Sequence, residues 1–184
     1  MLTARSMQEA HLYMDLHTCD CGAGNFERAH RLEQRDGVMV AVFEGVCGQC
    51  GRPRRFEFRM ADELPPAPPA FGGPEPSRII DPGEFMWVSD EVGTDAGIRL
   101  LNTPPAEQGR HRATAAYAFA ALEEVAKFLP AGADRIPEEL ITSDRGRETY
   151  RKNPSRFERA RLLDRLERDR RILDGIDHFS PPQR

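Results

Sequence analysis

Two pairs of thiols carry the clearest chemistry in this sequence. Cys19 and Cys21 stand one residue apart in "HTCDCG", Cys47 and Cys50 stand two apart in "CGQCG", and the chain has no other cysteine. A closed structural zinc site takes four ligands in a tetrahedron, and tight turns present them in pairs. In "CGQCG" the two intervening residues let backbone N–H groups point at the sulfurs, and Gly51 can take positive φ just past the second ligand. "CDCG" is one residue tighter, but Gly22 follows Cys21 as Gly51 follows Cys50. We therefore expect Cys19, Cys21, Cys47 and Cys50 to hold one structural zinc ion. Two disulfides, or unpaired buried thiols, are the competing readings, and a reducing compartment favours metal over both. His17 is a possible substitute ligand that we expect to stay outside the set, and His30 reads as a half-buried strand residue.

Four thiolates would leave no open coordination position, so the metal is expected to be structural rather than catalytic. The zinc deaminases need H-x-E upstream of C-x-x-C, whereas the upstream element here is "HTCDC". There is no H-E-x-x-H, no phosphate-cradling glycine loop and no G-x-S-x-G. Carboxylate hydrolysis by Asp81, Glu84 or similar residues stays open, but pairs of this kind arise often by chance. We expect a protein that is not an enzyme.

The thiols must be positioned by an N-terminal unit that reads as β. "VMVAVFEGV" (38–46) is rich in β-branched residues, and "RRFEFRM" (54–60) puts Phe56 and Phe58 on one face with Arg55, Glu57 and Arg59 on the other. Residues 26–33 form a third candidate strand, and "RDG" (35–37) reads as a tight hairpin turn. Antiparallel strands about that turn bring Cys21 and Cys47 to the same end. A short helix is expected after Ser6, which has capping-box spacing to Glu9.

"ELPPAPPAFGGPEP" (63–76) interrupts helix and strand alike, and reads as a linker. Beyond it the pattern is helical. One helix starts at Asp81 with Pro82 at its first position and Glu84 three on from the cap. A second runs from Thr103 to Pro130, and a short one lies around 137–151. A last helix, with Ser155 and Glu158 at capping-box spacing, carries Leu162, Leu163, Leu166, Leu173 and Ile176 on one face. The expected architecture is α+β: a three-stranded zinc ribbon over 1–62, the linker over 63–76, and a bundle of three to four helices over 77–184.

Composition narrows the function classes. Apolar residues make up 39% and charged residues 30%, which gives a soluble chain with modest core material, and no run is long and apolar enough to cross a membrane. The first residues lack a secretory signal, so we expect a cytoplasmic protein. Only two lysines accompany the arginines, which with abundant Ala, Gly and Pro points to a GC-rich bacterial genome. The net charge of −4 is uneven: residues 1–60 balance, 61–150 carry a net −8, and 151–184 a net +4. An acidic middle suits a basic protein partner.

Two further groups could make contacts. Arg52, Arg54, Arg55 and Arg59 surround Phe56 and Phe58, a composition that can bind single-stranded nucleic acid, although phenylalanines on one face are also what a small core demands. The basic residues of the last helix could grip phosphate, or pair at i,i+4 as Asp164–Arg168, Arg165–Asp169 and Glu167–Arg171. In "GEFMWV", Phe85, Met86 and the single Trp87 could anchor a protein interface or fill the bundle core.

The order of "HTCDCG", "CGQCGRPRRFEF", a proline-rich joint, "DPGEFMWV" and a helical tail with "SDRGR" resembles poorly characterised bacterial zinc-ribbon proteins that accompany polymorphic toxins. The resemblance covers nearly the whole chain. It implies a non-enzymatic cytoplasmic immunity protein that binds and neutralises a cognate toxin, and it points to no binding residues. The alternative is a nucleic-acid-binding or transcription-associated ribbon.

Overall fold

The computed structural model describes residues 1–24 and 26–180; Asn25 and the last four residues of the expected 77–184 helical unit lie outside them. The class is α+β, with a four-stranded mixed sheet and five α-helices among the described residues. The chain divides into two compact units, Met1–Ile80 and Asp81–Arg184. No described helix is long and apolar enough to cross a membrane.

The first unit opens with a strand, β1 (Leu2–Ala4), and a helix, α1 (Met7–Leu16). Ser6 caps α1 as its spacing predicts, accepting from the Glu9 amide at 3.0 Å. Glu9 reaches back one residue further than a capping box requires, to the Arg5 amide at 2.6 Å, and the Arg5 guanidinium matches its buried charge at 2.7 Å. Three long strands follow: β2 (Phe26–Arg35), β3 (Val38–Cys47) and β4 (Pro53–Met60). Between β2 and β3 the two-residue loop Asp36–Gly37 has φ of 50° and 79°, the primed turn whose twist matches a hairpin.

The sheet order is β1-β4-β3-β2, with β1 parallel to β4 and the other pairs antiparallel. One face buries Ala41, Phe43 and Phe58 against Ala10 and Met14 of α1. The other face carries a cross-strand ladder in which Arg31 pairs with Glu44 (2.6 Å) and Arg35 with Glu57 (2.9 Å). Val40 and Val42 lie fully buried on this charged face, where the long arginine and glutamate side chains carry apolar stems.

The proline-rich segment, read as a linker, belongs to this first unit. Phe71 is fully buried, Ser6 donates its hydroxyl to the Phe71 carbonyl at 2.7 Å, and the Gln8 amide donates to the Pro69 carbonyl. Prolines forbid regular structure here but leave carbonyls free to take donors from the first turn of α1, and Phe71 supplies the apolar anchor.

The second unit contains α2 (Pro82–Leu101), α3 (Arg112–Lys127), α4 (Asp144–Lys152) and α5 (Arg159–Phe179), joined in part by short 3-10 turns. Phe85, Met86, Leu122, Val125, Ile136, Phe157, Leu162 and Ile176 fill its core. The predicted cap of α2 is present: Asp81 Oδ1 accepts from Gly83 and Glu84, and Glu84 closes the box on the Asp81 amide. The same carboxylate does more than the sequence pattern announces. Its Oδ2 accepts from the Thr142 and Ser143 amides at 3.0 and 2.6 Å, just where Ser143 caps α4. The two helix starts are so close that a Cβ on Gly83 would lie 2.5 Å from the Gly146 Cα, so glycine is required there.

Two helical expectations change. The predicted 103–130 helix begins as a 3-10 turn over Pro105–His111, because prolines and Gly109 break the regular ladder, and α3 starts only at Arg112. The Ser155–Glu158 capping box does not form. Residues Pro154–Phe157 make another 3-10 turn, and the Ser155 hydroxyl goes to Asn153 Oδ1 at 2.8 Å.

Burial and the adjacent Asp81 carboxylate push the Glu84 carboxyl up to about 7. A carboxyl raised in the folded state binds its proton more tightly there than in the unfolded chain. Its contribution is therefore complete below the unfolded value of 4.5 and fades as the pH climbs through 7. Glu84→Gln keeps the capping group but removes the charge. It is expected to change stability little at pH 4.5 and to stabilise the second unit at pH 8 by about 2 kcal/mol, several degrees in melting temperature. Equal melting temperatures for the two proteins at pH 8 would contradict this.

Candidate metal centre

The hairpin register brings the thiols together as the turn logic predicts. Phe26, at the start of β2, pairs with Cys47 at the end of β3, and Val46 pairs with Pro53 of β4. The loop leaving α1 and the β3–β4 knuckle therefore meet at one end of the sheet. In the first loop the Cys19 amide donates to the Ala23 carbonyl at 2.9 Å and the Gly22 amide to the Cys19 carbonyl at 2.7 Å. In the knuckle the Cys47 amide donates to the Arg52 carbonyl at 2.9 Å and the Gly51 amide to the Cys47 carbonyl at 2.8 Å. Gly22 and Gly51 both have positive φ, 86° and 71°, the matching role their positions suggested.

The four Sγ atoms lie within 4.8 Å of one another. Cys19 is 3.6 Å from Cys50, and Cys21 is 3.6 Å from Cys47, so both contacts cross between the two loops. A tetrahedral ion with sulfur at about 2.3 Å spaces its ligands about 3.8 Å apart, close to this geometry. A disulfide needs about 2.05 Å, and all four thiols are free. Cys19 and Cys47 are buried, whereas Cys21 and Cys50 form the exposed rim. The sulfurs are placed to hold one metal ion.

The local electrostatics favour thiolate at the buried end of the knuckle. Amides of Cys50 and Gln49 point at the Cys47 sulfur and draw its thiol down to about 6. At Cys50 the Arg52 amide pulls in the same direction, but the partial loss of water beside the cluster and the neighbouring thiols outweigh it and push this thiol up to about 11. Four adjacent thiols cannot all ionise unaided, and a bound cation removes that obstacle.

Neither histidine joins the cluster. His17 ends α1, with its ring stacked on Tyr13 at 3.8 Å and its Nδ1 2.8 Å from the Tyr13 carbonyl. His30 is exposed on β2, not half-buried, because β2 is the edge of the sheet; its ring lies beside Phe43.

The arginines that the sequence offers as nucleic-acid contacts, Arg52, Arg54, Arg55 and Arg59, are engaged within the fold. Arg52 pairs with Asp20 at 2.8 Å and so links the two cysteine loops. Arg54 donates to the His17 carbonyl and lies over Phe26 and Phe56, a positioning role for the loop that sequence spacing does not reveal. Arg55 pairs with Glu44 and Glu57, and Arg59 with Asp62 at 3.6 Å. Phe58 is fully buried and Phe56 packs against the same core, so neither offers a stacking platform.

Of the three residues read as partner contacts, Phe85 and Met86 are fully buried in the second unit. They occupy the inward side of α2, where an apolar core outcompetes exposure. Trp87 is half-buried, with the Arg145 guanidinium 4.5 Å from its ring centroid. On α5 the anticipated Arg165–Asp169 and Glu167–Arg171 pairs form, but Arg168 turns to Asp169 instead of Asp164.

No protein-family model matches the chain, and no curated protein or solved structure matches it.

Proposed function

We propose that this chain is a non-enzymatic zinc-binding protein-interaction module, most concretely an immunity protein that binds and neutralises a cognate toxin. The observation that carries the first part is the four-sulfur cluster of Cys19, Cys21, Cys47 and Cys50. Its spacing suits zinc, and with every ligand position taken the ion would be structural. In that role it clamps the loop after α1 to the β3–β4 knuckle.

The binding part rests on surface chemistry in the second unit and on the resemblance to toxin-associated proteins. Asp134, Glu138 and Glu139 are exposed within six residues and make no ion pair among the described residues. A basic protein would find uncompensated charge there, which steers encounter and excludes wrong partners. Trp87 under Arg145 supplies the aromatic–arginine pairing common at interface hot spots.

The nucleic-acid alternative loses its main support, since Arg52, Arg55 and Arg59 already face carboxylates and Arg54 a carbonyl. Affinity purification from the native cells, with and without nuclease, separates the two readings. The expected result is one protein retained at high salt regardless of nuclease, and lost from the Glu138→Lys/Glu139→Lys variant. Recovery of nucleic acid, or of no specific protein, would contradict the interaction reading.

A further inference from the structure

The second unit contains a cavity of about 740 Å³ between α2, α3 and α5 that neither the metal centre nor the acidic segment uses. Its size falls within the range of small-molecule sites. Gly93 and Gly97 of α2 and Ala118 of α3 lie along it, and their small side chains leave the space open. Phe119 and Ile172 add apolar surface.

The charged groups lining it are four arginines and two carboxylates. Arg156 and Arg165 share Asp90, with Arg165 Nη1 at 2.7 Å, and Arg165 and Arg168 share Asp169 at 3.4 and 3.2 Å. Arg165 is further held by the Ser89 hydroxyl at 2.8 Å, so its guanidinium is fixed in place. Arg161 makes no ion pair among the described residues. Arg161, Arg165 and Arg168 recur at i, i+4 and i+7, which places them on one face of α5. The lining therefore carries two uncompensated positive charges in a concave site with apolar surface. Guanidinium groups present paired N–H donors that match the oxygens of carboxylate and phosphate.

We propose that this cavity binds a small anion carrying two or more negative charges, whose oxyanion groups meet Arg161 and Arg168 while the rest of it lies against Gly93, Ala118 and Phe119. Phosphate and carboxylate ligands share this chemistry, and the fixed Arg165 sets where the first oxyanion can approach. The site is independent of the zinc reading.

The test is a titration of the full chain, followed by ¹H–¹⁵N NMR, with pyrophosphate and adenosine diphosphate as phosphate probes and citrate as the carboxylate probe. The expected result is saturable shifts at the Gly93, Gly97 and Ala118 amides with at least one probe. Affinity should fall at least tenfold in Arg161→Ala/Arg168→Ala, whose melting temperature is unchanged because both side chains are exposed. Preference for the phosphate or the carboxylate arm then identifies the source. No shift with any probe, shifts unaltered in the variant, or shifts of equal size over the whole basic surface would each overturn the proposal. So would binding of an octaglutamate peptide without any of the small probes, which would assign the groove to an acidic protein segment.

Discussion

Cys47→Ser is expected to abolish metal binding and to lower the melting temperature of the first unit by more than about 10 °C, while α2–α5 keep their helical signal. Cys47 is 1% exposed and ends β3, where its amide already closes the knuckle on the Arg52 carbonyl. Serine preserves that backbone bond but removes a soft thiolate from a set of four. The other links between the two loops among the described residues include the exposed Arg52–Asp20 pair, the Arg54 contact to the His17 carbonyl and a 4.0 Å approach of the Cys21 sulfur to Gln49 Oε1. An exposed ion pair contributes less than about 1 kcal/mol. A structural zinc, by contrast, supplies about 10 kcal/mol or more in small domains, as much as the whole stability of an eighty-residue unit, about 4–12 kcal/mol. Loss of even about 3 kcal/mol shifts the melting temperature of a unit this size by more than about 10 °C. A chelator should do to the native chain what the substitution does, and should add nothing to the variant. A variant that melts with the native chain would contradict the clamp.

Asp81→Ala is expected to destabilise the second unit by about 3–5 kcal/mol and leave the first unit unchanged. The buried carboxylate accepts from four amides, two opening α2 and two leading into α4. Removing an N-cap costs about 1 kcal/mol and an amide left buried without an acceptor about 1–3 kcal/mol; the Gly83 and Glu84 amides are buried and the Ser143 amide part-buried, whereas Thr142 is exposed enough for water to take its donor. Asp81→Asn should fall between, since its single carbonyl oxygen can serve one helix start while its NH2 opposes the other pair of donors. Trp87 is the only tryptophan and lies on α2, so its fluorescence in denaturant reports this unit selectively. A loss below about 1 kcal/mol would reduce Asp81 to an ordinary cap.

The parts of the fold that the sequence announces are those set by local chemistry. Ser6 and Asp81 mark helix starts through side chains that reach their own amides, and Asp36–Gly37 marks a hairpin because few residue pairs adopt its positive φ values. The cysteine cluster was legible for a related reason: turn glycines and ladder register together leave the four sulfurs one place to meet. What escaped detection depends on distant partners. The three-residue β1 exists because β4 offers it a free edge, and no pattern of three residues announces that. Phe71 turned an apparent linker into part of the first unit. The second role of Asp81 needs Thr142 and Ser143, 61 and 62 residues away, and the fate of Phe85 and Met86 is settled by which face of α2 the bundle covers.

The most direct measurement of the proposed zinc clamp is elemental analysis of the purified chain, paired with thiol titration before and after chelation. The expected result is one zinc per chain, with all four thiols reacting freely only once the metal has been removed, and no metal in Cys47→Ser. A metal-free chain whose four thiols react at once, and whose melting temperature ignores chelator, would contradict the claim that zinc holds the cysteine loops together. One iron per chain would keep the clamp and replace the ion.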